Sequence, residues 1–470
     1  MHRALLPGMA LGLGMGCAGG TLAPLGPWPL VPAAVLLALA LVLRSAPLIW
    51  AALLCVGWAL SPGDVSDVRL VAQLPLLREV RGVVASLPEH HEATISFRLW
   101  ASHLGAAFLV YAPRDADVAP GDEVSLWGRC EVPAGGWGRY LRLRGISGVF
   151  WAEGAEVVAP GRSSLGRWFH RIRAALLSAM GRACPGEAGA TLRALLLGAR
   201  GELEPGVREG FRHAGVAHLL ALSGLHLGII AYGLWRALGL FRLRRDVRYL
   251  IAAAVVALYV PLAGARISLV RAGIMFGFLG LFEVLWERGL VLRDWYDPLQ
   301  GLSAAAILVL LIWPWSALDL GFQLSFAATG GIILGWPLWR DSRWRAKLPR
   351  FLRSAGDLLW VSLCAQGATL GFVGSAFGHI SPYGILANLF LIPWTGLIIW
   401  AGVLLLALSP LGLAAALGGA VGRYLVDPYL AAVRFLAGLP GATLPVGRHF
   451  GLWCAFAALV FTAFWSCRRG

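Results

Sequence analysis

Apolar runs dominate the second half of this chain. From position 216 onward they are mostly 17 to 26 residues long and are separated by short polar or arginine-rich stretches. Because a transmembrane helix needs about 20 mostly apolar residues, this pattern predicts a polytopic α-helical membrane protein. The predicted spans lie at 216–240, 248–264, 267–286, 300–318, 320–338, 358–377, 384–409 and 450–467, with a further one within 412–440.

Residues 1–67 carry three more apolar stretches, at 4–22, 30–43 and 46–61. The first of these lacks a small-residue cleavage site followed by a polar domain, so it indicates a membrane anchor rather than a signal peptide. We therefore expect residues 1–67 to form N-terminal transmembrane segments.

Residues 68–160 follow a different pattern, with apolar residues alternating at a period near two. This alternation predicts a small β domain, and an OB-fold is a common five-stranded solution. Turn residues at Pro120-Gly121-Asp122 separate two of the runs. The predicted strands are Glu79–Ser86, Thr94–Trp100, Ala107–Ala112, Glu123–Cys130 and Ile146–Ala152.

Residues 161–215 precede the spans and begin with an amphipathic basic segment at 163–183. Such a helix is typical of the membrane interface, so we expect Arg167, Arg171 and Arg173 to face lipid headgroups. Residues 216–470 would then form the multi-pass part.

The composition excludes several classes of protein. Hydrophobic residues make up 58% of the chain, charged residues make up 14%, and the mean hydropathy is +0.71. A soluble domain has roughly 25% charged residues. A cytoplasmic enzyme, a disordered protein and a secreted disulfide scaffold are therefore excluded.

The net charge of +15 is unevenly distributed. Residues 68–160 have a net charge of −1, whereas residues 161–470 carry +16. From position 216 the basic residues fall mostly in alternate loops, which the positive-inside rule assigns to the cytoplasm. The β domain then lies outside the cytoplasmic membrane, provided that the N-terminal segments cross it an odd number of times. These basic residues are Arg242, Arg244, Arg245, Arg248, Arg288, Arg293, Arg340, Arg343, Arg345, Lys347, Arg350, Arg353, Arg468 and Arg469.

The motifs of common cofactor and metal enzymes are missing from the sequence. The single lysine, Lys347, follows Ala346, so the chain has no P-loop. The seven cysteines form no C-x-x-C pair, and the ten histidines include no H-E-x-x-H. We therefore expect neither a cofactor nor a bound metal.

Polar residues inside the predicted spans are the informative ones, because such groups are costly in lipid and normally face a bundle interior or a water-filled path. Ser223 and His226 are three residues apart on one predicted helical face, and Gly224 with Gly228 forms a G-x-x-x-G helix-packing motif. The candidates for a hydrophilic interior are His218, Ser223, His226, Arg266, Arg271, Asp319, Gln323, Ser325 and Asn388.

Two plainer interpretations of these residues stay open. Individual side chains, above all Ser268, Thr329 and Thr369, would equally form single helix-to-helix hydrogen bonds, and Arg266 and Arg271 would equally snorkel to the interface. Catalysis is not indicated, because the Ser223 region lacks G-x-S-x-G and an orienting third group.

Several blocks resemble the ComEC family of competence proteins. The most specific are Gly198-Ala-Arg200, the Phe211 to Gly215 segment, the His218 to Gly228 segment and the Arg266 to Met275 segment. Further similar blocks are Asp297-Pro-Leu, Asp319 to Ala327 and Leu386 to Pro393, and the β segment is similar to the family's extracytoplasmic OB-like domain.

The resemblance implies a channel through which single-stranded DNA crosses the cytoplasmic membrane in natural transformation. It also implies an outer DNA receptor, a cytoplasmic motor or single-stranded-DNA-binding proteins, and the lipid bilayer as partners. Many members add a metallo-β-lactamase-like domain with an H-x-H-x-D-H motif, which this sequence lacks, so we expect the form without it. Any strand degradation would then belong to a separate nuclease or be absent. Gln300 replaces an expected asparagine.

A hydrolase that depends on Ser223 stays open as a rival to the channel. Alternatives from other classes are a secondary transporter of a small anionic solute and a non-transporting scaffold of the competence machinery. Both are compatible with buried arginine and histidine residues in membrane helices.

Overall fold

The structure is a computed structural model that describes residues 9–15, 17, 74–91, 93–161, 164–292, 297–447, 449–451 and 454. Residues 9–15 and 17 are helical, and Leu13 and Cys17 pack against Leu310. The rest of the predicted N-terminal segments and almost all of the predicted span at 450–467 lie outside the described residues.

The alternating segment folds into a closed five-stranded barrel. In this article's numbering the strands are β1 (Glu79–Val84), the short β2 (Glu89–His90), β3 (Thr94–Ala101), β4 (Ala106–Pro113), β5 (Glu123–Glu131) and β6 (Ile146–Ala159). They are arranged in the order β1-β5-β6-β4-β3-β2, and an additional pairing of β1 with β3 closes the barrel. The pairs are antiparallel except for β4 with β6, which is parallel.

The barrel closes around the inward half of the alternating pattern. Ile95, Phe97, Val110 and Phe150 are fully buried, whereas their neighbours along the strands face outward. The sequence did not predict helix α1 (Gly135–Leu143), which packs Leu141 against one outer side of the sheet.

The remaining described residues are mostly helical, and a large buried core joins the helices. The helices are α2 (Ser164–Ala183), α3 (Gly186–Leu197), α4 (Pro205–His213), α5 (Ala217–Leu220), α6 (Gly224–Leu240), α7 (Arg245–Leu262), α8 (Ile267–Glu287), α9 (Pro298–Ile312), α10 (Leu320–Arg340), α11 (Arg343–Lys347), α12 (Arg350–Phe377), α13 (Gly384–Leu408), α14 (Ala414–Val421) and α15 (Asp427–Ala437).

Three of the described helices are long and apolar enough to cross a membrane: Ile267–Glu287, Leu352–Phe377 and Gly384–Leu411. The predicted span at 216–240 differs from the structure, where α5 and α6 are separate helices. Within 412–440, α14, a π-helical turn (Gly422–Val426) and α15 follow one another without a gap, so the chain is helical throughout 414–437.

Helix α2 is amphipathic, as expected, but two of the three arginines predicted to face lipid point into the protein. Arg173 is buried and donates to the carbonyl oxygens of Leu197 and Leu262, at 2.6 and 2.5 Å. Arg167 donates to the Asp122 carboxylate. Arg171 alone of the three is exposed. The expectation that all three face lipid headgroups is wrong, because unsatisfied helix-end carbonyls and a buried carboxylate attract these guanidiniums.

The barrel is attached to one end of the helical body. It contacts the turn between α7 and α8 through Arg266 and the start of α10 through Asp319. The arginine-rich turns around Arg244 and Arg343 lie at the other ends of these helices. The barrel and the basic loops are therefore on opposite sides of the body.

Candidate functional site

A break in the helical chain forms the centre of the candidate site. Helix α5 ends at Leu220, residues 221–223 are extended or irregular, and α6 starts at Gly224. The Ser223 side chain caps α6 by accepting from the Leu225 amide at 3.2 Å, and its hydroxyl lies 3.2 Å from Nδ1 of the buried His226. The two residues are in contact as the sequence spacing predicts, although Ser223 is a cap outside the helix.

The carbonyl freed by this break is satisfied by the neighbouring helix α8. Ser268 Oγ donates to the Leu222 carbonyl oxygen at 2.9 Å. Irregular backbone at membrane depth is tolerated only where it is enclosed by protein or lines a cavity. The break is therefore an ordered part of the fold, because contacts with α6 and α8 hold it in place.

Arg271 lies directly beside the break. It is buried on α8, and its Nη1 donates to Thr329 Oγ1 on α10 at 2.6 Å, while the Thr329 hydroxyl donates in turn to the Ser325 carbonyl. A Cβ atom added at Gly224 would lie 2.8 Å from Arg271 Nη2. The glycine thus leaves room for the guanidinium.

The Arg271 charge has no acidic counterpart nearby. Within the described ranges, no carboxylate oxygen lies within 4.0 Å of its guanidinium, and its Nε has no hydrogen-bond partner. A buried cation without a counter-charge is costly. Such a group is typical of a site that binds an anion.

A second set of polar side chains, on α12 and α13, faces the break. Asn388 is buried and lies within hydrogen-bonding reach of His218 on α5. Gln366 on α12 approaches α13 at Gly384, one helical turn before Asn388, and its Nε2 is 3.0 Å from the position of an added Cβ at Gly384. Within the part of the chain that the structure describes, His226 Nε2, Gln366 Nε2 and Asn388 Oδ1 accept or donate no hydrogen bond.

Two other predicted residues lie where the barrel meets the helices, a region that we call the seam. Arg266 Nη2 is 3.2 Å from Glu89 Oε1 of the barrel, and Asp319 accepts from Arg144 of the barrel at 2.9 Å. Asp319 also caps α10 by accepting from the Phe322 amide at 3.1 Å. The Asp319 side chain therefore links the barrel to α10 and does not line a hydrophilic interior between the helices.

Arg200 connects the seam with the break. It lies in the turn Arg200–Glu202 and is within electrostatic range of Arg266 on one side and of His226 on the other. Burial, followed by the charge of Arg266, lowers the pKa of Arg200 to about 10. Its Nε forms no hydrogen bond with any of the described residues.

The barrel touches the Arg200 turn closely. A Cβ atom added at Gly201 would lie 2.0 Å from the His90 carbonyl oxygen, so only glycine permits this approach. The seam is thus a tight backbone contact flanked by two ion pairs.

The structure brings some of the predicted residues together and separates others. His218, Ser223, His226, Arg271 and Asn388 surround the break, and Gly224 packs against Arg271. Gln323 instead donates to the Ala317 carbonyl at 3.0 Å, and Ser325 contributes its backbone carbonyl. A Cβ atom at Gly228 would meet no atom of the described residues within 4 Å, so none of the described helices makes the close approach expected there.

Sequence reasoning did not select four residues that matter for this arrangement: Glu89, Arg144, Arg173 and Arg200. Arg200 lies inside a block that carries the family resemblance, which was the available signal. The other three act through contacts with distant parts of the chain. Groups of three or more potential metal ligands are not found among the described residues.

Comparisons with known proteins agree on one family. The sequence model of a family described as "Competence protein" matches residues 195–469. "ComE operon protein 3" of Bacillus subtilis (strain 168) is 31% identical over 212 residues, which are 44% of this chain and 25% of that protein. "Competence protein ComA" of Neisseria gonorrhoeae is 30% identical over 200 residues, which are 41% of this chain and 26% of that protein.

The matched part thus spans about a quarter of the length of these curated relatives. No solved structure matches the chain.

Proposed function

Because the chain belongs to the family of competence proteins, whose sequence model matches more than half of it, we propose that it is a component of a DNA-uptake channel. In this proposal the protein spans the cytoplasmic membrane several times. Single-stranded DNA crosses the membrane between its helices during natural transformation.

One observation carries the proposal: polar side chains from separate helices converge at the break. They come from α5, α6, α8, α10 and α13, and several of their hydrogen-bonding atoms have no partner among the residues described above. Arg271 supplies positive charge that no nearby carboxylate neutralises. A guanidinium pairs well with a phosphate, because it donates two parallel hydrogen bonds to it.

The arginines also suggest a route for the strand. The route would start at Arg266 in the seam and pass Arg200 to reach the break, where His226 and Arg271 lie. From there it would follow the helices to their arginine-rich ends on the far side. Phosphates moving along this route would meet positive charge at each stage. Positive charge at both ends of the helical body is consistent with a polyanionic substrate.

The barrel supports the same proposal. Its strand order, with a parallel pair between the third and fifth barrel strands, β4 and β6, is consistent with the OB-like domain expected from the sequence. Such barrels bind single strands by stacking bases on aromatic side chains. On the outer surface of the barrel, the rings of Tyr111 and Trp151 stack on each other, with 4.6 Å between their centres.

The proposed orientation places the barrel outside the cell membrane. The arginine-rich turns are expected in the cytoplasm, and the barrel is on the opposite side of the helical body. An outer DNA receptor would therefore deliver the strand to the barrel. A cytoplasmic motor or single-stranded-DNA-binding proteins would receive it, and a separate nuclease would degrade the other strand.

The driving force must come from outside the described site. An inside-negative membrane potential opposes inward movement of phosphates by about 2.3 kcal/mol per charge per 100 mV. A motor or coupling to protons is therefore required.

A secondary transporter of a small anionic solute is the second candidate, and the helix break favours it. Transporters bind anions at the N-termini of interrupted membrane helices, and α6 begins at the break beside Arg271. Uptake of a labelled anion into vesicles without any requirement for DNA would favour this candidate over the channel.

The test is a transformation assay in a naturally transformable strain that lacks its own copy of the gene. Arg271→Gln removes the buried charge and keeps hydrogen-bonding capacity, so we expect DNA import to fall by at least about tenfold. Arg208→Gln, at an exposed position of α4, is the matched control and should leave import unchanged. Membrane levels of each variant are compared by immunoblot.

Normal import by Arg271→Gln at a normal membrane level would refute the channel assignment. Full import after substitution of all the polar residues at the break would instead indicate a scaffold.

A further inference from the structure

The ion pair between Arg266 and Glu89 is weakly made. A single contact of 3.2 Å joins Arg266 Nη2 to Glu89 Oε1, although a guanidinium and a carboxylate can form two parallel hydrogen bonds. The Glu89 side chain is 53% exposed, whereas that of Arg266 is 29% exposed. The carboxylate therefore has little else to hold it in place.

Glu89 is shared by several arginines. Arg173 and Arg200 also lie within electrostatic range of it, together with Arg266. Two other acidic residues of this region already have arginine partners: Glu202 is bound to Arg193 at 2.5 Å, and Asp319 is bound to Arg144 at 2.9 Å. The seam consequently holds more positive than negative charge, and Glu89 is the carboxylate that partly neutralises it.

Glu89 also ends a row of outward-facing side chains across the barrel. In the strand register Glu89 is opposite Ser96, Ser96 is opposite Tyr111, and Tyr111 is opposite Trp151. Arg129 completes the row beyond Trp151. Aromatic faces and a cation thus lead over the barrel surface to the arginines of the seam.

We propose that Arg200 and Arg266 form a phosphodiester-binding site at the seam, and that Glu89 occupies this site when no strand is bound. The inference rests on the proposed function, since a DNA strand supplies the phosphodiester. A strand stacked along Tyr111 and Trp151 would bring its next phosphates to Arg266. One phosphate carries the same charge as the carboxylate that it displaces.

Displacement of Glu89 needs no movement of the barrel. Glu89 lies on a two-residue strand with its side chain largely in solvent, so a rotamer change would free Arg266. The barrel remains attached through Arg144 with Asp319 and through Arg167 with Asp122.

A lipid headgroup is the other source of a phosphodiester. The seam has the barrel on one side and the Arg200 turn on the other, in contact at Gly201. An aromatic row that ends at Glu89 suits stacked bases and has no role for a lipid. These observations favour the DNA strand.

The experiment measures binding of a labelled oligothymidylate of about 20 nucleotides to the full chain in neutral detergent by fluorescence anisotropy. Glu89→Gln removes the competing charge, and we expect it to tighten binding by about threefold to tenfold. Arg266→Gln should weaken binding by about tenfold. Both effects should shrink between about 50 and about 200 mM salt.

The controls come from the same barrel. Arg81 and Glu123 form an exposed ion pair at 2.9 Å between the neighbouring strands β1 and β5. Glu123→Gln and Arg81→Gln should leave binding unchanged. Arg266→Lys keeps the charge without the planar donor group and should weaken binding less than Arg266→Gln. Thermal unfolding of each variant checks that it is folded.

The opposite signs of the two effects make the proposal testable. If Glu89 and Arg266 only hold the barrel in place, Glu89→Gln and Arg266→Gln will change oligonucleotide binding in the same direction. Equal weakening of binding by both variants therefore refutes the proposal. Unchanged binding by Glu89→Gln also refutes it. If phosphatidylglycerol in nanodiscs competes fully with the oligonucleotide, the site belongs to lipid and the proposal fails.

The outcome is separable from that of the proposed function. Loss of import by Arg271→Gln with unchanged binding by Glu89→Gln would keep the channel and reject this site. Tighter binding by Glu89→Gln with normal import by Arg271→Gln would keep the site and reject the channel.

Discussion

Ala265 has a left-handed backbone conformation directly before Arg266. Its φ is 45°, and Gly264 before it has a φ of 90°. The left-handed region costs an L-residue roughly 1–2 kcal/mol, whereas glycine adopts it freely. The turn therefore carries strain at the position that sets the direction of Arg266 into the seam.

Ala265→Gly should relieve this strain and raise the free energy of unfolding by up to about 1 kcal/mol, as measured by thermal unfolding in detergent. Ala263→Gly is the matched control, because Ala263 has a φ of −85° and is buried. There glycine should destabilise the protein by about 1 kcal/mol. Equal shifts of the same sign would contradict the strain at Ala265.

The two glycines of the G-x-x-x-G motif should respond differently to substitution. Gly224→Ala places a methyl group 2.8 Å from Arg271 Nη2 and 3.2 Å from Ala272 Cβ, so it should displace the guanidinium and lower DNA import. Gly228→Ala meets nothing within 4 Å and should leave import unchanged. Import is measured by transformation frequency at matched membrane levels; a larger effect at Gly228 would contradict the packing described.

At the scale of elements, Arg173 joins the ends of two helices. Its guanidinium donates to the last carbonyls of α3 and α7, Leu197 and Leu262. These carbonyls have no partner within their own helices. A single buried side chain from α2 therefore fixes where α3 and α7 end relative to each other.

Arg173→Met should lower the free energy of unfolding by at least about 2 kcal/mol, because it leaves both carbonyls without donors. Arg171→Met, on an exposed position of the same helix, should change it by less than about 0.5 kcal/mol. Thermal unfolding in detergent measures both. Similar small effects of the two variants would show that Arg173 does not cap these helices.

Individual elements follow from the sequence where the local pattern is regular. Four of the five predicted strands agree with the structure to within one or two residues. Strand β6 continues to Ala159, beyond the predicted Ala152, because a register shift opposite Trp127 and Gly128 puts its alternation out of phase. A break in pairing leaves no simple period to recognise.

The helix break shows the same limit. Leu222 is apolar and buried, so hydropathy continues through it and predicts one span at 216–240. The adjacent Ser223 and Gly224 are a helix-start signal that an apolar run conceals.

Contacts between distant segments were beyond sequence reasoning. Ser223 and His226 meet because local spacing brings them together. Arg271 with Thr329, 58 positions apart, and Arg266 with Glu89, 177 positions apart, meet only through the packing of helices and barrel. Charge at membrane depth indicated that these arginines matter, without indicating their partners.

At the scale of the whole molecule, the barrel and the arginine-rich turns lie at opposite ends. If the protein spans the membrane as proposed, each end is accessible from one side alone. In a cysteine-free background, Arg81→Cys on the barrel should react with a membrane-impermeant maleimide in intact cells. Arg343→Cys should react only after lysis, and labelling of both in intact cells would contradict the orientation. Both positions are exposed.

Gly201 sets the spacing between the two parts of this molecule. The His90 carbonyl oxygen lies 2.0 Å from where its Cβ would be, so a hydrogen atom occupies the whole gap. Side chains of increasing size at this position would push the barrel and the Arg200 turn apart by increasing distances. A graded series of substitutions from alanine to leucine would therefore tilt the barrel stepwise relative to the helices.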